Sequence, residues 1–264
     1  MSDTTQEPRS SGERSSKYRS AAYSQVSLAR LGVSEHARDL ADAARGLVPT
    51  TCDAHAGDGE FVKDAAHLVE VARLLLESAV VYERIKGTSW EQIGTALDRV
   101  SRQAAHERYA RAEKEFQLRV LHAWLLPEHA GELFTTADRL ARFVAGLSTW
   151  VSAHRELDEI DHGDQPITAG LQSMSTAERS ALITQAASLL NTMETRSAAD
   201  DRQRHELKVG LCRREIELYE DLNVQSSDDA DVLAALSEAR TRLAELQADE
   251  TATISIRHEI GRNR

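Results

Sequence analysis

Residues 87–109 read GTSWEQIGTALDRVSRQAAHERY, and the spacing of their hydroxyl, carboxylate and amide side chains marks two helix starts in close succession. Ser89 stands three residues before Gln92, and Thr88 three before Glu91. At that spacing a hydroxyl accepts from the backbone amide of the third helical residue, while the longer side chain reaches back to the amide of the cap. A helix is therefore predicted directly after Gly87. Trp90, Ile93 and Leu97 form its buried side, and Gly94 leaves a point without a side chain at which a second helix can cross closely. Asp98 and Arg99 interrupt the helix, and Ser101 offers a second cap. In the helix that follows, Ala104, Ala105 and Tyr109 face inward while Arg102, Gln103 and His106 face outward. The stretch predicts a helix, a tight turn and a second helix.

Helical periodicity extends on both sides of it. Upstream, a pattern from Val26 to Leu47 closes at Gly46 and Pro49, and the Gly-, Asp- and Thr-rich residues 50–60 form a loop. The next segment, Phe61 to Ile85, repeats Phe61, Ala65, Leu68, Ala72, Leu75 and Ala79 at spacings of three and four, widened by Val69, Leu76 and Val80. So broad an apolar stripe predicts a core helix. Downstream, the pattern continues to Trp124, breaks at LLPEHAG, resumes over 135–160 and breaks again at DHGDQPITAG. Ser175 and Glu178 form a further capping box, opening a long helical segment that Asn223–Asp229 interrupts. The last helix places Val232, Leu236, Ala239, Leu243 and Leu246 at spacings of four and three. Such a seam belongs to a short coiled coil between subunits or to a helical hairpin with Leu207, Leu211, Leu218 and Leu222.

The expected fold is all-α: a multi-helical bundle with a central helix-turn-helix and a C-terminal hairpin or coiled coil. The expected division is an arm at 1–22, a helical domain at 23–126 containing the central motif at 88–110, an acidic helical domain at 132–250 and a tail at 251–264. Composition agrees, since four Pro in 264 residues leave few helix breakers. The first twenty residues hold a single apolar side chain after Met1, which suits a disordered arm and lacks the apolar core of a secretory signal. No apolar run approaches the roughly 18–20 residues needed to span a bilayer. Cys52 and Cys212 form no CxxC and suit free thiols. A cytoplasmic protein with no membrane partner is expected.

SWEQIGTAL, a turn and VSRQAAHERY together resemble the helix-turn-helix of bacterial regulators, particularly actinobacterial proteins carrying SWxxIGxAL, Gly and VSRQAAxxRF. The resemblance covers about two dozen residues. It implies that the second helix is a recognition helix lying in the DNA major groove. Carried over position by position, Ser101, Arg102, Gln103 and His106 fall on its base- or phosphate-facing side, and Val100, Ala105, Ile93 and Leu97 on its packing side. Arg99, Arg108, Arg111, Thr88 and Ser89 are further DNA-binding candidates. Where the family has one Gly between the helices, this chain has Asp98-Arg99, one residue longer. Asp tolerates the left-handed conformation that such a turn requires.

The charge distribution permits this reading despite a net charge of −11. Residues 99–119 hold six basic side chains against three acidic, whereas residues 121–264 hold fifteen basic against twenty-five acidic. The acidity is C-terminal, away from the motif. The expected function is sequence-specific binding of double-stranded DNA by a transcriptional regulator. A homodimer is expected, with the C-terminal helices pairing subunits or contacting another protein. The alternative is a non-enzymatic helical adaptor whose acidic half binds a protein partner. No cofactor or metal is expected. His154 and Asp158 in AHRELDEIDHGD share a helix face at a metal-ligand spacing, but the cluster reads as a solvated acidic helix end rather than a metal site. HELK and HEIG do not complete HExxH, and there is no Walker A loop, GxGxxG or GxSxG. Trp90, Trp124 and Trp150 sit beside apolar helical patterns and read as core anchors. No enzyme reading follows.

Overall fold

The computed structural model describes residues 23–51, 53, 56–127, 137–154, 165–194, 197–226 and 229–262, the last helix beyond 249 by its backbone. The expected arm at 1–22, Cys52 and the acidic cluster at 158–164 lie outside them. The fold is all-α. Its helices are α1 (Gln25–Gly46), α2 (Glu60–Ile85), α3 (Trp90–Ala96), α4 (Arg102–Leu125), α5 (Ala137–His154), α6 (Thr176–Thr192), α7 (Ala198–Gln225) and α8 (Ala230–Arg262), with a 3₁₀ turn at Thr168–Gly170. Among the described residues, the extended pairing is a single bridge between Tyr23 and Ser173.

Two compact units divide the chain, one made of Met1–Lys114 with Thr135–Ser173, the other of Glu115–Phe134 with Met174–Arg264. The boundary expected at 126–132 does not coincide with either. The reason lies in α5, which packs with α1 rather than with the later helices. Leu31 of α1 is buried against Val144 and Leu147 of α5, with Tyr23, Phe143, Ile167 and Leu171 around them. Ser24 caps α1 by accepting from the Ser27 amide at 3.1 Å. The Ser24 amide donates to the Gln172 carbonyl, and the Gln172 amide to the Ser27 hydroxyl, both at 2.8 Å. The segment before α6 thus closes back onto the start of α1.

Helix α2 corrects an expectation. Its buried residues are Val71, Val80 and Val81, while Leu68, Leu75 and Ala79 are half-buried and Phe61, Ala65, Val69, Ala72 and Leu76 are exposed. Helix α1 covers only one side of the stripe. Periodicity reports that a face is apolar, not that the same chain covers it.

In the second unit, α7 and α8 form an antiparallel hairpin. Leu236 and Ala239 are buried and Val232, Leu243 and Leu246 half-buried, so the seam is covered within one chain by α7, whose Leu207, Leu211 and Leu218 are buried. Ion pairs from Arg240 to Glu220 at 2.7 Å and from Arg242 to Glu215 at 2.8 Å tie the two helices. Gly210 lets α7 approach the end of α4 so closely that a Cβ there would lie 2.5 Å from the Leu125 carbonyl oxygen. Buried Arg214 donates through Nε to the Trp124 carbonyl at 2.6 Å, satisfying one of the open acceptors at that helix end. Two boundaries also differ from expectation. The segment opening at Ser175 is two helices, because Ser197 caps α7 by accepting from the Asp200 amide at 3.2 Å. The expected tail at 251–264 continues α8 to Arg262, since no Pro or Gly intervenes before Gly261.

Candidate nucleic-acid interface

The surface around the expected recognition helix is built from the end of α2 onward. Gly87, at φ 99°, closes α2: its amide donates to the Arg84 carbonyl and the Thr88 amide to the Glu83 carbonyl, both at 2.9 Å. This is a left-handed helix stop of the kind glycine permits. Ser89 then accepts from the Gln92 amide at 3.2 Å and donates its own amide to Gln92 Oε1 at 2.9 Å, completing the expected box. Ile93 is buried with Val80, Ala105 and Tyr109, and Trp90, Leu97 and Val100 pack around this cluster. Leu97 is only half-buried. Gly94 sits directly against the Val100 carbonyl, leaving no room for a Cβ.

Between α3 and α4 the chain turns through Asp98 at φ 59° and Arg99 at φ 66°. Two successive left-handed residues replace the single glycine of the resembling motif. Ser101 then caps α4, accepting from the Ala104 amide at 3.1 Å. The first turn of α4 holds no acidic residue, so the positive end of its dipole is uncompensated from within the helix.

On α4, Ala105 and Tyr109 point into the cluster, and Ser101, Arg102, Gln103, His106, Arg108 and Arg111 are exposed. Arg99 is exposed beside them. Neither Arg99 nor Arg102 has an ion-pair partner among the described residues. Gln103 Nε2 donates to Glu107 Oε1 at 2.8 Å. The His106 ring meets Trp90 edge-on, with centroids 5.4 Å apart. The Arg108 guanidinium lies 6.0 Å from the Tyr109 ring centroid. Thr88 and Ser89 stand at the other end of the motif and are occupied locally: the Thr88 hydroxyl donates to Glu83 at 2.6 Å, and Ser89 serves as the α3 cap. The Thr88 hydroxyl holds the Glu83 carboxyl below its ordinary value.

Arg84 is the residue that sequence reasoning missed. Its Nη1 donates to the Thr88 carbonyl at 2.6 Å, its Nε donates to Glu113 Oε2 at 3.3 Å, and its guanidinium stacks 4.6 Å from the Trp90 ring centroid. One side chain therefore ties α2, the loop, α3 and α4 together. A cation in the last turn of a helix was a visible signal; a partner 29 positions later was not.

Trp124 is buried, as an anchor should be, whereas Trp150 is half-buried with its Nε1 donating to Asp42 at 2.9 Å. Cys212 is a buried free thiol whose pKa is pushed up by burial and by Glu215. Among the described residues no group of His, Cys, Asp and Glu could hold a metal ion, and no helix is long and apolar enough to cross a membrane. No family model, curated protein or solved structure matches this chain.

Proposed function

We propose that the protein binds double-stranded DNA in a sequence-specific manner through α3 and α4, as a helix-turn-helix regulator, with α4 as the reading helix. The carrying observation is the start of α4: Ser101, Arg102, Gln103 and His106 are exposed together on a helix whose first turn is free of acid. Its amides and dipole favour a phosphate, and an arginine there can grip guanine O6 and N7 or a backbone oxygen. Gln103 can pair with adenine N6 and N7 once its amide leaves Glu107. Arg99, Arg108 and Arg111 supply cationic flanks for the phosphate backbone. Regulation of transcription, and a place with the nucleoid in the cytoplasm, follow from this reading.

In-vitro selection of duplex DNA with the purified protein is the test. A recurring sequence is expected, and Arg102→Ala and Gln103→Ala should each lose about 1–3 kcal/mol of affinity for it without loss of fold. Enrichment of no sequence, or full affinity in both variants, sinks the proposal.

A further inference from the structure

Helix α2 carries an exposed apolar stripe. Phe61 is 47% exposed, Val69 67% and Leu76 43%, and the alanines between them, Ala65 and Ala72, are exposed as well. Spacings of four, four, three and four place all five within one narrow sector of the helix, and Val62, 73% exposed, borders it. No charged side chain interrupts the sector. The nearest, Arg73, is turned to its own helix, pairing with Glu70 at 3.2 Å and Glu77 at 3.6 Å.

We infer that this stripe is the contact between two copies of the chain, packed antiparallel along α2. Read from either end, the stripe runs large, small, large, small, large: Phe61, Ala65, Val69, Ala72, Leu76. A twofold contact needs a patch that is complementary to itself, and antiparallel helices bring a palindromic pattern into register with its own copy. The axis falls beside Val69. Phe61 of one copy then meets Leu76 of the other, and the alanines let the helices approach closely. The exposed fractions of Phe61, Val62, Val69 and Leu76 amount to roughly 400 Å² per copy, or roughly 800 Å² for the pair before the alanines are counted. That lies below the roughly 1,200 Å² at which stable specific interfaces begin and in the range of weak, transient contacts, so the pairing is a reversible one. The α7–α8 seam is already covered within its own chain.

Sedimentation equilibrium on the full chain tests the pairing, and it needs no DNA, so its outcome is separate from that of the selection experiment. The wild type should dimerise, and Val69→Glu should raise the dissociation constant at least tenfold while keeping the helical spectrum and melting temperature. With Cys52 replaced by Ser, Val69→Cys should cross-link to itself under mild oxidation. Val62→Cys should not, because its two copies would lie about 20 Å apart along the antiparallel pair. A wild-type chain that stays monomeric to several hundred micromolar overturns the inference. So does a dimer that survives Val69→Glu, and so does equal cross-linking of the two cysteine variants.

Discussion

Gly94 and Asp98 are the two positions at which the turn between α3 and α4 tolerates least change. A Cβ at Gly94 would drive into the Val100 carbonyl, a backbone atom that cannot rotate away. Gly94→Ala is expected to destabilise the protein by about 1–3 kcal/mol, measured by chemical denaturation. Asp98 at φ 59° occupies a conformation that β-branched residues strongly disfavour. Asp98→Val should therefore cost about 1–2 kcal/mol, while Asp98→Gly should be neutral or stabilising. A third expectation concerns Glu107, whose carboxylate accepts from Gln103 on the proposed reading surface. If DNA binds there, Glu107→Gln releases a negative charge from the phosphates and should tighten duplex binding several-fold in a titration at fixed salt. Weaker binding in that variant would show that Glu107 is needed to aim Gln103.

Whole helices raise a different question, namely what keeps each at its neighbour. Arg84 joins four segments at once, so Arg84→Met is expected to cost about 1.5–3 kcal/mol, the scale of hydrogen bonds to a charged group in a half-buried setting. In the hairpin, Glu215 has its carboxyl pushed above the ordinary value by burial, which outweighs the pull of Arg242. A raised carboxyl holds its proton more tightly in the folded state than in the unfolded. Its contribution is thus fully present below the ordinary carboxylate range and declines as pH rises through the raised value. The stability difference between wild type and Glu215→Gln, followed by denaturation from pH 4 upward, should move against the wild type across that window. Elements of this size were largely legible beforehand. The caps at Ser89, Ser101 and Ser175 and the limits of α1 and α2 depend on residues a few positions apart, and local chemistry fixes them. Arg84 with Glu113, the split at Ser197 and the bare side of α2 depend on distant partners or on their lack, which periodicity does not encode.

Across the entire molecule, charge is the property most open to a simple measurement. With cations concentrated over 99–119 and acids beyond 120, duplex binding should fall steeply with salt. Under the proposed function, replacing an arginine on the cationic flank by alanine, Arg108→Ala for example, should reduce the slope of log affinity against log salt by about one. The surface pattern at the start of α4 could be read directly from the sequence, since exposed and buried positions alternate regularly there. The division into units could not, because it rests on α5 returning to α1 across roughly a hundred intervening residues. That division has a practical consequence. The chain passes from one unit to the other after Lys114, Phe134 and Ser173, so no single cut yields an intact half. A gene truncated after residue 126 would keep the whole reading surface yet strip Leu31 of its cover from Val144 and Leu147. Domain dissection by simple truncation should therefore yield insoluble fragments, whereas a product that joins residues 1–114 to 135–173 keeps Leu31 together with Val144 and Leu147.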